Sequence, residues 1–183
     1  MNFFFGIKTH ILTSKLTIPR FRNSSNSKKI FNLYSAKIIK KKWYIEKVNC
    51  HSDNDFFFIK GKMLNNDIIF FLAKDNEVSS FYKYDNKKLR ALNQFTNTIP
   101  DFRANLLIQN KEGGFSSYQS DYPSRMISKK GNIISPISSL TNSSADKNLV
   151  FIKNIYEKPI AENFKVHFVD LKNKRVVFEK NIL

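Results

Sequence analysis

Two stretches of this chain carry side chains whose types and spacing suit chemistry. The first, residues 101–139, reads DFRANLLIQNKEGGFSSYQSDYPSRMISKKGNIISPISS and holds Arg103, Phe115, Tyr118, Gln119, Asp121, Tyr122 and Arg125. Flat amphipathic rings beside adaptable hydrogen-bonding groups, on short Ser-rich connections, suit a recognition surface. Arg adds a planar fork for carboxylate, phosphate or sugar hydroxyls that Lys replaces poorly. In a chain with 25 Lys and 6 Arg, two Arg in this stretch stand out. The residues Arg103, Phe115, Tyr118, Gln119, Tyr122 and Arg125 therefore point to a bound glycan, polar ligand or partner protein. An acid–base reading uses the same stretch, with Asp101 and Arg103, or Asp121 and Arg125, flanking a cleft and Tyr118 or Tyr122 donating a proton. Structural ion pairs and turn caps draw on the same residue types.

The second stretch is KIIKKKWYIEK, in which Lys37, Lys40, Lys41 and Lys42 adjoin Trp43 and Tyr44. Basic residues interleaved with aromatics bind nucleic acid through phosphate contacts and base stacking, and a membrane surface or polyanionic glycan attracts the same charges. A solvated basic face is the plainer reading, because Lys is the commonest surface residue of this AT-rich-type composition.

Motifs of catalysis are missing. The chain has no GxSxG elbow, P-loop, dinucleotide fingerprint, HExxH or CxxC pair. Cys50 and His51 are sequence neighbours, which does not make them a nucleophile–base pair, since such partners must meet in space. Asp53 and Asp55 resemble the start of a calcium loop but lack its Gly and its later bidentate Glu, so they read as a polar turn. The expectation is a non-catalytic module with no cofactor and no metal, an enzyme around residues 101–125 being the second alternative after nucleic-acid binding.

These side chains need a scaffold, and the chain supplies one rich in short extended segments. Segments DFFFIKGKML, IIFFLAK and VSSFYKYD, separated by NND and DNE, predict three strands in a meander. The continuous apolar run Ile68–Leu72 fits a strand covered on both faces, beside a more exposed one at 78–84. FKVHFVD places Phe164, Val166 and Phe168 on one face, and LKNKR turns it into VVFEKNI, a hairpin. FRANLLIQN and FSSYQ make another, with Gly113 and Gly114 able to supply positive φ at the turn. Residues 148–156 read as a further strand and 87–95 as one or two helical turns. Residues 30–48 fit strands better than the helical stripe of Phe31, Tyr34 and Ile38. About nine or ten short, mostly antiparallel strands with at most one short helix define an all-β β-sandwich or partly open β-barrel, a small α+β fold being the alternative.

Charge divides the chain. Residues 1–50 hold 11 Lys or Arg and one acid, Glu46, while the other 133 residues carry only about +6 of the total of +16. With NSSNSKK at 23–29 as a linker, residues 1–29 read as a loosely attached basic arm and 30–183 as a single all-β domain. No apolar run is long enough to span a membrane, and the opening lacks the apolar core of a secretory signal. The single cysteine excludes an internal disulfide framework, so the expected location is the cytoplasm, or an organelle if residues 1–29 are a presequence.

Overall fold

A computed structural model describes residues 2–20, 31–79, 84–85, 104–119, 121–123, 144–145, 148–149, 159 and 163–182. Among them thirteen strands form three antiparallel sheets, and the protein is all-β and sandwich-like. The first sheet has the order β11 (Asp121–Pro123), β1 (Asn2–Phe4), β7 (Ile69–Ala73), β3 (Asn32–Ile39), β4 (Lys42–Lys47) and β8 (Tyr84–Asp85). The second has the order β10 (Phe115–Gln119), β9 (Asn105–Asn110), β2 (Leu12–Pro19), β6 (Phe56–Lys60) and β5 (His51–Ser52). The third is the hairpin of β12 (Phe164–Asp170) and β13 (Arg175–Ile182).

Period-2 alternation builds the core. Leu16 and Ile18 of β2, Phe57 and Ile59 of β6 and Leu106 of β9 point inward from the five-stranded sheet. They meet Phe4, Leu33, Phe70 and Leu72 of the six-stranded sheet in one cluster. The six-stranded sheet is buried on its other face too, where Phe3, Tyr34, Ala36, Trp43, Ile45 and Phe71 form a second cluster. Every residue of β7 is accordingly buried, as its continuous apolar sequence requires. Phe71 stacks on Tyr34 at 5.8 Å between centroids and meets Phe3 edge-on at 6.4 Å.

Three expectations change. Residues 2–19 are not a loose arm, because β1 lies between β7 and β11 and β2 lies between β6 and β9. The apolar alternation of Leu16 and Ile18 and the pair Phe3–Phe4 are core signals that outweigh the basic composition around them. The meander from Asp55 does not form, because β6 and β7 belong to different sheets, with the 3-10 turn Gly61–Met63 carrying the chain across. Phe57 and Ile59 thus face Phe70 and Leu72 across the core rather than pairing beside them. Where a strand is expected at 78–84, Val78 and Ser79 close a single helical turn, α1 (Asp75–Ser79), and Tyr84 begins the two-residue edge strand β8, residues 80–83 lying outside the described residues. The helix expected at 87–95 and the strand expected at 148–156, apart from 148 and 149, lie outside the described residues.

Other expectations hold. The strands expected within 30–48 do form, as β3 and β4, which pair as a hairpin whose turn residues Lys40 and Lys41 have φ of 49° and 60°. β9 and β10 form another, with Gly113 and Gly114 at φ of 115° and 83°. β12 and β13 pair with a register shift after Phe168, and Asp170 caps their turn by accepting from the Lys172 and Asn173 amides.

The crossing from β1 to β2 is tied by Ser14, whose buried hydroxyl accepts from the Ile7 amide at 3.1 Å and donates to the Ile7 carbonyl at 2.6 Å. A Cβ on Gly6 would lie 2.3 Å from Leu64 Cδ2, so Gly6→Ala is expected to cost about 1–3 kcal/mol in denaturant unfolding, and an unchanged midpoint would contradict this packing. At the β3–β4 turn both residues sit in the left-handed region that Asn-Gly prefers, so K40N/K41G is expected to gain roughly 1 kcal/mol, and a loss would show the turn geometry to be different.

Candidate binding face

The five-stranded sheet buries one face and leaves the other open, and its open face collects aromatic, basic and polar side chains from all five strands. Strand register places them. Lys15 of β2 pairs with Lys60 of β6 on one side and with Leu107 of β9 on the other. Leu107 in turn pairs with Ser117 of β10. One step along, His51, Phe58, Thr17 and Asn105 align across β5, β6, β2 and β9. Two steps the other way from Thr17, Thr13 pairs with Gln109, and Gln109 with Phe115.

The chemistry of this face is aromatic, basic and amidic. His51 stacks on Phe58 at 5.4 Å, Phe56 lies 6.3 Å from Phe58, and the Lys15 ammonium sits 5.1 Å from the Phe58 ring centroid. Phe115 is 77% exposed at the far corner. Asn105 Nδ2 donates to Ser117 Oγ at 2.6 Å, and Asn105, Gln109, Thr13, Lys15 and Lys60 are all exposed. Among the residues that register places on this face there is no acid.

The residues singled out in 101–139 are divided by the fold. Phe115 lies on the open face, whereas Tyr118, three residues on and half-exposed, is in register with Leu106 and belongs to the opposite side of β10. Gln119 is in register with Asn105. Tyr122 and Asp121 belong to β11 in the six-stranded sheet, paired with Phe3 and Phe4. Arg103, Arg125 and Asp101 lie outside the described residues.

The stretch 37–44 is divided as well. Lys40, Lys41 and Lys42 are exposed at the hairpin tip, and Lys37 lies 4.9 Å from the Tyr44 ring centroid. Trp43 points to the opposite face and is only 1% exposed within the second core cluster. A ring in that position has no surface on which a base can stack, so Trp43 is a core residue.

Cys50 and His51 do not form a dyad. Cys50 packs against the core cluster while His51 stacks on Phe58 on the open face. Burial pushes the Cys50 thiol up, which keeps it protonated and unreactive near neutral pH. Asp53 serves the turn before β6, its Oδ1 accepting from the amides of Asp55 and Phe56 at 2.8 and 2.6 Å. No group of three or more metal-ligating side chains occurs among the described residues, and none of their helices is long and apolar enough to cross a membrane.

A polar cluster outside this face has a structural role. Asp75, the first residue of α1, accepts from the Tyr34 hydroxyl and from Asn32 Nδ2, each at 2.6 Å, and from Lys47 Nζ at 3.1 Å. These bonds tether α1 to β3 and β4. The hydrogen bond from Tyr34, then those from Lys47 and Asn32, hold the Asp75 carboxyl below the usual range, while burial and Asp75 together push the Tyr34 hydroxyl up.

Sequence reasoning missed most of the open face. The run Phe56-Phe57-Phe58 contained a signal, since alternation turns Phe57 inward and presents its two neighbours outward. Lys15 and His51 gave none, because their partners come from strands distant in sequence. Compared with protein-family models, with curated proteins and with solved structures, the chain matches none.

The carboxyls of Asp53, Asp75, Asp170 and Glu179 are all held low by hydrogen bonds. A lowered folded-state value contributes stability that is complete above the unfolded value near 4 and is lost as pH falls through the folded value. The melting temperature is therefore expected to be level from about pH 7 to 5 and to drop below about pH 4, with a shallower acid-side drop in Asp75→Asn. Identical acid-side slopes in the two proteins would contradict the role of Asp75.

Proposed function

We propose that this protein is a non-catalytic binding module that recognises its ligand on the open face of the five-stranded sheet. The observation that carries this reading is the gathering of Phe58, His51 and Phe115 with exposed Lys, Asn and Gln side chains on a sheet face whose other side is core. Rings on a sheet face form a flat platform, and amide and hydroxyl groups between them supply directional hydrogen bonds. Phe115 and Gln119 bring part of the 101–139 stretch to this sheet, and a glycan, a polar ligand or a partner protein are the ligand classes that such a platform suits. A second reading, nucleic-acid binding by the β3–β4 hairpin, keeps support from its three exposed tip lysines and loses Trp43.

The cytoplasm remains the location we propose, on the single cysteine. A presequence made of residues 1–29 would on removal take β1 and β2 with it, and with them strands flanked on both sides in each large sheet.

The test is amide chemical-shift mapping of the full chain with uridine, indole and maltohexaose at millimolar concentration. Shifts are expected to concentrate in β2, β6, β9 and β10. Shifts confined to the β3–β4 tip, or no shifts with any of the three probes, would overturn the assignment of this face.

A further inference from the structure

Lys15 and Lys60 are direct cross-strand partners on the open face, and like charges so placed repel. Both are exposed, and among the described residues neither is paired with a carboxylate. The Lys15 ammonium rests 5.1 Å from the Phe58 ring centroid, and an anion lying over the pair would offset the repulsion that remains. From these observations, and resting on the reading of this face as the binding surface, we propose that the ligand is a single-stranded nucleic acid. Its backbone would lie over the Lys15–Lys60 pair and its bases on the flanking rings.

The layout of the face fits a short polynucleotide. Phe58 and Phe115 are separated by three strand intervals and four residues of register, about 14 Å across the sheet and about 13 Å along it, with Lys15 near the midpoint. Phe115 at one end, the exposed His51 imidazole stacked on Phe58 at the other, and the lysine pair in the middle match a chain that alternates planar bases with phosphates. Stacking on rings tolerates any base, because every base has a π-face, and the exposed amides of Asn105 and Gln109 are placed to reach base edges between the rings. A duplex hides its bases from such a platform. A sulfated glycan would engage the lysines too, and competition with heparin separates it from a single strand. The total charge of +16 adds a long-range attraction for any polyanion, so salt dependence alone does not identify the ligand, whereas the rings do.

The experiment is fluorescence anisotropy of the full chain with labelled U12 and dT12 oligonucleotides, competed with unlabelled duplex and with heparin. The wild type is expected to bind the single strands in preference to duplex, with affinity falling roughly tenfold between about 50 and 200 mM salt, as two or three phosphate contacts require. Phe115→Ala and Phe58→Ala are each expected to weaken binding at least about fivefold, and Lys15→Glu to weaken it while flattening the salt dependence. Circular dichroism checks folding, and should Phe58→Ala unfold, the exposed Phe115 and Lys15 variants decide. Binding unaffected by both Phe variants, displaced equally well by heparin, would reduce the face to a general polyanion surface and overturn the proposal. Loss of binding in K40E/K41E with the Phe variants unaffected would move the site to the β3–β4 tip and overturn it too. If neither oligonucleotide binds while uridine, indole or maltohexaose still maps to the sheet, the nucleic-acid proposal falls and the binding face stands; if nothing maps there, both fall.

Discussion

Face-to-face burial of two sheets is the constraint on which everything else in this protein depends. Leu16, Ile18, Phe57, Ile59 and Leu106 on one side and Phe4, Leu33, Phe70 and Leu72 on the other are nearly all fully buried, and together they fix the inward side of every strand that carries them. Because side chains alternate along a strand, fixing the inward side also fixes the outward one. A slip of one residue in β6 would bury Phe56 and Phe58 and expose Phe57 and Ile59. The pattern that makes the core therefore also makes the open face.

The two large sheets differ in what they have left to offer. The six-stranded sheet is buried on both faces, and its polar groups are spent on structure: Tyr34, Asn32 and Lys47 converge on Asp75 to hold α1. The five-stranded sheet is buried on one face only, so its outward residues are free to differ in kind from what packing demands. Phe115 there stays 77% exposed and Lys15 and Lys60 are direct cross-strand neighbours, features that packing alone does not explain. Arg20 is a contrast, since its guanidinium lies 4.8 Å from the Phe57 ring centroid and donates to the Asp53 carbonyl at 2.6 Å. It serves the β5–β6 turn.

Local signals were read well and long-range ones were not. The hairpins at β9–β10 and β12–β13 join segments a few residues apart, and their turns carry Gly113 and Gly114 in one case and Asp170 in the other, so sequence sufficed. The doubly covered strand β7 was legible because an unbroken apolar run has no polar side to expose. The meander failed at Gly61, where the tight turn after β6 passes between sheets instead of pairing β6 with β7. The N-terminal strands failed for a different reason: charge counts described their surface, while Phe3, Phe4, Leu16 and Ile18 decided their place.

The sequence by itself determined the all-β class, the local hairpins and the inward side of each strand, because these follow from alternation and turn chemistry within a few residues. Only the tertiary structure decided which sheet each strand joins, and hence which outward side chains become neighbours. Lys15 and Lys60, or Phe58 and His51, meet through ladder pairing between segments whose sequences say nothing of one another. For the same reason Tyr118 and Phe115, close in sequence and alike in chemistry, were assigned by the pleat to opposite faces of one strand.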